Sequence, residues 1–255
     1  MLLAIDVGNT NTVIGLFDGE NLVKSWRLTT VAHQTADEYG ILFRNLFAPS
    51  GFHTDQVHRA IIACVVPPLE KTLRAMCRDY FDVSALVVGP GIKTGIRLQV
   101  DHPQDVGADR IVNAIAAFRI YGGPAIVVDF GTATTFDPIS ADGAFLGGAI
   151  APGVGISAEA LYRAAAKLPR VEIQKPRRVI GKNTVDNIQS GLYYGYRGLV
   201  DGILEGMVAE MKGEPVIVAT GGLAVVFHQE SNWIRHYHAD LTLFGLQFLA
   251  ERNSV

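Results

Sequence analysis

The chain has 255 residues, 49% of them hydrophobic and 18% charged, and a formal net charge of −3. Such a composition builds packed cores and excludes an intrinsically disordered chain, while the faintly acidic balance leaves no electrostatic footprint for nucleic acid. No apolar run approaches the roughly 20 residues that cross a bilayer and no basic segment precedes the first strand, so a soluble cytoplasmic protein without a signal peptide is expected.

Residues 2–5 and 12–17 read as strands around an Asp-x-Gly hairpin, and 22–28 as a third strand after the turn at Asp18-Gly19. Thr35 and Glu38 fit a capping box, after which Tyr39, Leu42, Phe43, Leu46 and Phe47 share one helical face up to Pro49-Ser50-Gly51. Residues 60–66 are apolar on both faces, as in a central strand covered by helices, and the run ends at Pro67-Pro68. A helix over 69–80 carries Cys77, and a strand over 85–88 follows. Cys64 in its apolar run and Cys77 on its helix read as buried, reduced thiols.

Ile111, Val112, Ile115 and Phe118 mark the next helix, and Tyr121-Gly122-Gly123-Pro124 breaks the chain after it. The pattern then restarts. Strands are expected at 125–129, 134–139 and 144–150, helices over 155–167 and 183–210, a strand at 215–219 and a last helix from 242. The reading is an α/β protein with mixed sheets flanked by helices, built from two halves, 1–118 and 119–255.

Each half opens on the same device. Ala4-Ile5-Asp6-Val7-Gly8-Asn9-Thr10-Asn11-Thr12 and Val127-Val128-Asp129-Phe130-Gly131-Thr132-Ala133-Thr134-Thr135 both run from an apolar strand into Asp-x-Gly and then small polar residues. Glycine lets backbone approach a phosphate, Asn9, Thr10, Thr132 and Thr134 add neutral donors, and Asp6 and Asp129 are hard oxygen ligands for Mg²⁺ or another cation. Two such hairpins facing one polyphosphate make a nucleotide-dependent enzyme the first expectation. Gly221-Gly222 after the last strand offers bare backbone against which an adenine could lie. Gly181-Lys182-Asn183-Thr184 imitates the end of a phosphate-binding P-loop, but Asn183 separates Lys182 from Thr184 and Pro176 stands where the first glycine belongs. Lys182 and Thr184 remain placed to touch a substrate at a helix start.

Gly107-Ala108-Asp109-Arg110 sits in the first turn of its helix and admits two readings. Asp109 complements the helix dipole, worth about 0.3–1 kcal/mol, beside a surface arginine. Alternatively, Asp109 accepts the proton of a hydroxyl attacking ATP while Arg110 holds a substrate carboxylate or amide, which suits a loose phosphoryl transfer in which positioning counts most. His236 and His238 alternate on one strand face without an evident third metal ligand. Gly191, Gly195, Gly198 and Gly202 form a smooth stripe on the long helix, open to packing within the chain or against a second copy.

Taken in order, the two Asp-x-Gly segments, Gly107 to Arg110, Pro152-Gly153, Ala166-Lys167-Leu168-Pro169, Gly181 to Thr184 and Thr220-Gly221-Gly222-Leu223 resemble type III pantothenate kinase along nearly the whole chain. The resemblance implies duplicated ribonuclease-H-like domains of the actin-like ATPase kind and phosphorylation of pantothenate by ATP in the first step of coenzyme A synthesis. It implies that Asp6, Val7, Gly8, Asn9, Thr10, Asn11, Thr12 and Val13 bind ATP phosphates, with Thr132 as a further contact. It makes Asp109 the proton acceptor, and assigns Gly107, Ala108, Asp109, Arg110 and Thr184 to pantothenate. Asp129 would bind a monovalent cation, K⁺ or NH₄⁺, Asp6 would meet Mg²⁺ through water, and the protein would be a homodimer. Relatives often carry Tyr where this chain has Val100, which leaves one wall of the substrate pocket in question. A kinase for another small hydroxyl compound and a non-catalytic regulator on the same fold are the competing readings.

Overall fold

In the computed structural model, which describes residues 1–253, the chain forms two compact units. The first comprises Met1–Gly95, His102–Ala116 and the stretch from Asp240 onward; the second comprises Ile96–Asp101 and Ala117–Ala239. The first follows from strands β1 (Leu2–Val7), β2 (Asn11–Asp18), β3 (Asn21–Thr29), β4 (Arg59–Cys64) and β5 (Ala85–Val87), which pair in the order β3-β2-β1-β4-β5. β1 lies antiparallel to β2 and parallel to β4. Leu2 to Ile5 of this central strand are buried, as a strand covered on both faces must be, and Leu2, Leu3 and Ile5 each contribute roughly 1.5–3 kcal/mol.

Helix α1 (Ala36–Phe47) begins where the capping box placed it: Glu38 N–H donates to Thr35 Oγ1 at 3.3 Å and Thr35 N–H to Glu38 Oε2 at 2.7 Å. Helix α2 (Pro67–Phe81) takes both prolines into its first turn, where a missing N–H costs nothing. So the Pro-Pro pair starts a helix as well as ending a strand. Burial pushes the Cys77 thiol up to about 12 and also raises that of half-buried Cys64, so both stay protonated and free. Helix α3 (Ala108–Tyr121) ends at Gly122, whose φ of 78° favours glycine.

In the second unit, β6 (Arg97–Leu98), β7 (Ala125–Phe130), β8 (Ala133–Ile139), β9 (Ala144–Phe145), β10 (Ala149–Pro152), β11 (Val216–Thr220) and β12 (His236–Tyr237) form one sheet among the described residues. Its path β10-β8-β7-β11-β12 repeats, direction for direction, the path β3-β2-β1-β4-β5. The duplication read from two short motifs is therefore a duplication of whole sheets. Helices α4 (Val154–Ala164), α5 (Thr184–Glu210) and the short α6 (Ala224–Phe227) complete this unit. The closing helix, α7 (Leu241–Arg252), packs against β1, β2 and β4 and so belongs to the first unit.

The single strand expected over 144–150 is two. Gly147 and Gly148, with φ of 103° and 149°, break it between β9 and β10, because no extended strand continues through that backbone. The two-residue strands β6 and β12 and the one-turn helix α6 carry too few residues for any periodicity to register.

A buried tyrosine follows the third strand in each sheet. The Tyr196 hydroxyl, on α5, donates to the Pro152 carbonyl oxygen at 3.2 Å and hydrogen-bonds the buried Thr134 hydroxyl. Tyr39, on α1, is fully buried beside Thr12 and the Val31 backbone, but its hydroxyl makes no well-formed hydrogen bond; burial dominates and raises its pKa. Tyr196→Phe should therefore cost about 1–3 kcal/mol by stranding Thr134, whereas Tyr39→Phe should change stability by less than about 0.5 kcal/mol. Urea denaturation of the two variants checks the contrast.

Candidate active site

Both Asp-x-Gly segments lie at the carboxyl end of the central strand of their sheet, beside a parallel neighbour, the position where open α/β sheets bind ligands. The strands share one burial pattern: four buried residues, a half-buried aspartate, then a buried apolar residue. In the first unit Val7 pairs with Thr12, leaving residues 8–11 as the loop; in the second Phe130 pairs with Thr134, leaving 131–133. The second loop is thus one residue shorter.

The first N–H of each loop closes the turn. Gly8 N–H donates to the Asn11 carbonyl oxygen and Gly131 N–H to that of Ala133, both at 3.0 Å. These two donors are committed to the turns themselves. A Cβ at either glycine would press on that acceptor oxygen, at 3.2 and 3.3 Å respectively. Asn9 and Thr10 are exposed at the first tip, and Gly131 and Thr132 at the second. Thr134 is not a free donor, since its hydroxyl is buried against Tyr196. Thr12 is fully buried too, hydrogen-bonded to the Thr30 hydroxyl at 2.9 Å. Asp6 and Val13 are half-buried and face each other across the strand pair, and Val7 is buried.

Gly107 to Arg110 open α3 in the first unit. Asp109 Oδ1 accepts the N–H of Arg110 at 2.8 Å, and Oδ2 makes no hydrogen bond among the described residues. A Cβ on Gly107 would lie 2.6 Å from Asp109 Oδ1, so glycine there is what lets the carboxylate turn back over its own helix start. The helix is held from the far end of the chain: Thr242 donates to the buried Asn113 side chain at 2.7 Å, and Gly245 packs directly on the Val112 carbonyl.

In the second unit Asp129 stands in register with Thr220, and the chain turns across it at Gly221. Gly221 has φ of 91°, and a Cβ there would lie 2.7 Å from Phe130 N and against the Asp129 carboxylate. Asp129, Thr132 and Gly221-Gly222 therefore collect at one strand end. Thr184 is exposed in the first turn of α5, whose N-cap is Asn183: its side chain accepts the Asp186 N–H at 2.9 Å. The P-loop look-alike is thus a helix cap. Val100 lies in the short segment belonging to the second unit, against Gly147. Among the described residues no group of three or more His, Cys, Asp or Glu side chains is placed to hold a metal ion.

Two sheets of this order, each with a phosphate-type hairpin after its central strand, define the duplicated ribonuclease-H-like class of actin-like ATPases and sugar kinases. Consistent with that fold, a ROK family glucokinase from Streptomyces griseus, solved with glucose and AMPPNP, superposes with a TM-score of 0.55 over 99% of each chain at 12% identity. The family model for type III pantothenate kinase matches residues 2–206. Type III pantothenate kinases from Koribacter versatilis and Syntrophus aciditrophicus are 55% and 54% identical, covering 99% and 100% of this chain and 96% and 100% of those proteins. The chain belongs to the type III pantothenate kinase family.

The geometry separates the two glycines after β11. Gly222→Ala meets open space and should leave stability within about 0.5 kcal/mol, while Gly221→Ala combines a left-handed backbone with overpacking and should cost about 2–4 kcal/mol. Chemical denaturation midpoints of the two variants test this.

Proposed function

We propose that the protein transfers the γ-phosphoryl group of ATP to the hydroxyl of pantothenate, giving 4'-phosphopantothenate in the first step of coenzyme A biosynthesis. The full-length identity to type III pantothenate kinases carries this reading. The hairpin of residues 6–13 meets the phosphates through its exposed tip, Asn9 and Thr10, with buried Val7 and Thr12 supporting it; Thr132 is a further phosphate contact, Asp6 reaches the Mg²⁺ of MgATP through water, and Gly221-Gly222 flank the adenosine. Gly107, Ala108, Arg110 and Thr184 hold pantothenate. Val100, where relatives often carry Tyr, bounds the same substrate.

Asp109 takes the hydroxyl proton. Its Oδ1 is fixed by the Arg110 N–H, which leaves Oδ2 to accept. Oxygen attacks phosphorus as the bond to the ADP oxygen breaks, and the proton moves late to the carboxylate. Asp129, in register with Thr220 and against the turn at Gly221, holds K⁺ or NH₄⁺. When bound, that ion supplies positive charge to offset the phosphates.

The test is ADP formation with ATP and pantothenate in potassium, ammonium, sodium and Tris salts at constant ionic strength. Activity is expected in K⁺ or NH₄⁺ and not in Na⁺ or Tris; equal rates in all four would remove the cation role of Asp129. Asp109→Asn keeps the Arg110 contact but cannot take the proton, so turnover should fall by about 10²–10⁴-fold with the fold intact. Wild-type turnover in that variant would remove the base. ADP formation with other alcohols but not pantothenate would favour a kinase of different specificity.

We also propose a homodimer formed through α5, in the cytoplasm. Gly191, Gly195, Gly198 and Gly202 are exposed, and a Cβ at any of them meets no protein atom within 4 Å, so packing within the unit does not account for them. Four interior glycines cost a helix about 4 kcal/mol relative to alanine, a cost that close approach of a second helix explains. Ile150, Val179 and Ile180 of the same unit are 65%, 61% and 73% exposed. Light scattering should give a dimer, and Gly195→Leu or Gly198→Leu a monomer; a monomeric wild type overturns the proposal.

A further inference from the structure

We infer that Thr30 is a positioning residue for ATP, holding the first phosphate hairpin in its binding shape through two hydrogen bonds to loop carbonyls and a third to Thr12 at the loop's foot. The inference rests on the reading of residues 6–13 as the phosphate site.

Thr30 is the first residue past β3. Its N–H donates to the Thr10 carbonyl oxygen at 2.9 Å, its Oγ1 donates to the Gly8 carbonyl oxygen at 2.8 Å, and Oγ1 lies 2.9 Å from Thr12 Oγ1. A hydroxyl has one proton and a carbonyl only accepts, so Thr12 must be the donor to Thr30. The proton order is therefore fixed, Thr12 to Thr30 to Gly8; two of the bonds reach loop residues 8 and 10, and the third ties Thr30 to Thr12, where β2 leaves the loop. The loop's own closure, Gly8 N–H to Asn11 O at 3.0 Å, constrains only its base. The exposed tip at Asn9 and Thr10 takes its orientation from the two carbonyls that Thr30 holds.

The second unit isolates what the hydroxyl does. Asn11 pairs with Thr29 and Ala133 with Pro152, so the next residues, Thr30 and Gly153, occupy the same place in their sheets. Gly153 N–H donates to the Thr132 carbonyl at 3.1 Å, repeating the backbone bond of Thr30 to Thr10. It has no side chain, and none would fit: a Cβ would stand 2.6 Å from the Gly131 carbonyl oxygen. The shorter loop is reached by backbone alone. The longer loop stands off from its third strand, and the Thr30 hydroxyl spans that gap.

Thr30→Val keeps the shape and removes the hydroxyl; Thr30→Ser keeps the hydroxyl and removes the methyl. For each, KM for ATP, KM for pantothenate and kcat are measured, together with calorimetric binding of AMPPNP. Thr30→Val should raise KM for ATP and Kd for AMPPNP by about tenfold while KM for pantothenate stays within about twofold, and Thr30→Ser should lie within about twofold of wild type. Thr30→Ala, which cannot be misfolded by a methyl facing Gly8, should give the same ATP-selective loss. Unchanged AMPPNP binding in Thr30→Val and Thr30→Ala, equal losses for both substrates, or no rescue by serine would overturn the inference. Failure of the wild-type protein to bind AMPPNP would instead overturn the phosphate-site reading on which it stands.

Discussion

The central strand of each sheet is buried up to an aspartate and must then reverse without leaving backbone donors stranded, and the rest of the site is arranged around that reversal. An unpaired N–H at the end of a buried strand costs about 1–3 kcal/mol, so the loop closes on itself through its glycine. Closure uses the amide that would otherwise seem the natural phosphate donor. What remains for a ligand is the loop tip, the flanking aspartate and the parallel strand next door, which in the second unit delivers Gly221 onto Asp129.

The two units meet this constraint with loops that differ by one residue, and the neighbouring positions follow. In the first, a threonine hydroxyl bridges from the third strand; in the second, a glycine backbone fits directly against the loop. The buried tyrosines diverge with them. Tyr196 is bonded to Thr134, the counterpart of Thr12, whereas the Tyr39 hydroxyl, beside Thr12, is buried without a well-formed hydrogen bond.

Most elements were legible because their signals are local: the Thr35–Glu38 box, the apolar run of β4, the Asp-x-Gly repeats. The family resemblance was legible for the same reason, since its motifs are short and contiguous. Less legible were features decided by tertiary contact. The break at Gly147-Gly148 looks like ordinary strand glycine until its φ values are known. Thr134 and Thr132 differ by two positions and not at all in chemistry, yet one is buried on Tyr196 and the other is exposed. Thr30 carries no motif; its role depends on a carbonyl 22 residues earlier in the chain.

The closing helix shows why the halves of the sequence are not the units of the structure. α7 returns to the first sheet, where Leu243 fills the space above Gly15 and Gly245 lets the helix rest on the Val112 carbonyl of α3. With Thr242 bonded to buried Asn113, the last helix fixes the position of the helix that begins with Asp109 and Arg110. In a loose phosphoryl transfer the base contributes mainly by standing in the right place. The local turn at Gly107 sets the direction of the Asp109 carboxylate, but the rigid placement of that turn comes from side chains more than a hundred residues away in the chain. If Asp109 is the base proposed above, a substitution in α7 weakens catalysis without touching substrate, by letting α3 shift against its sheet.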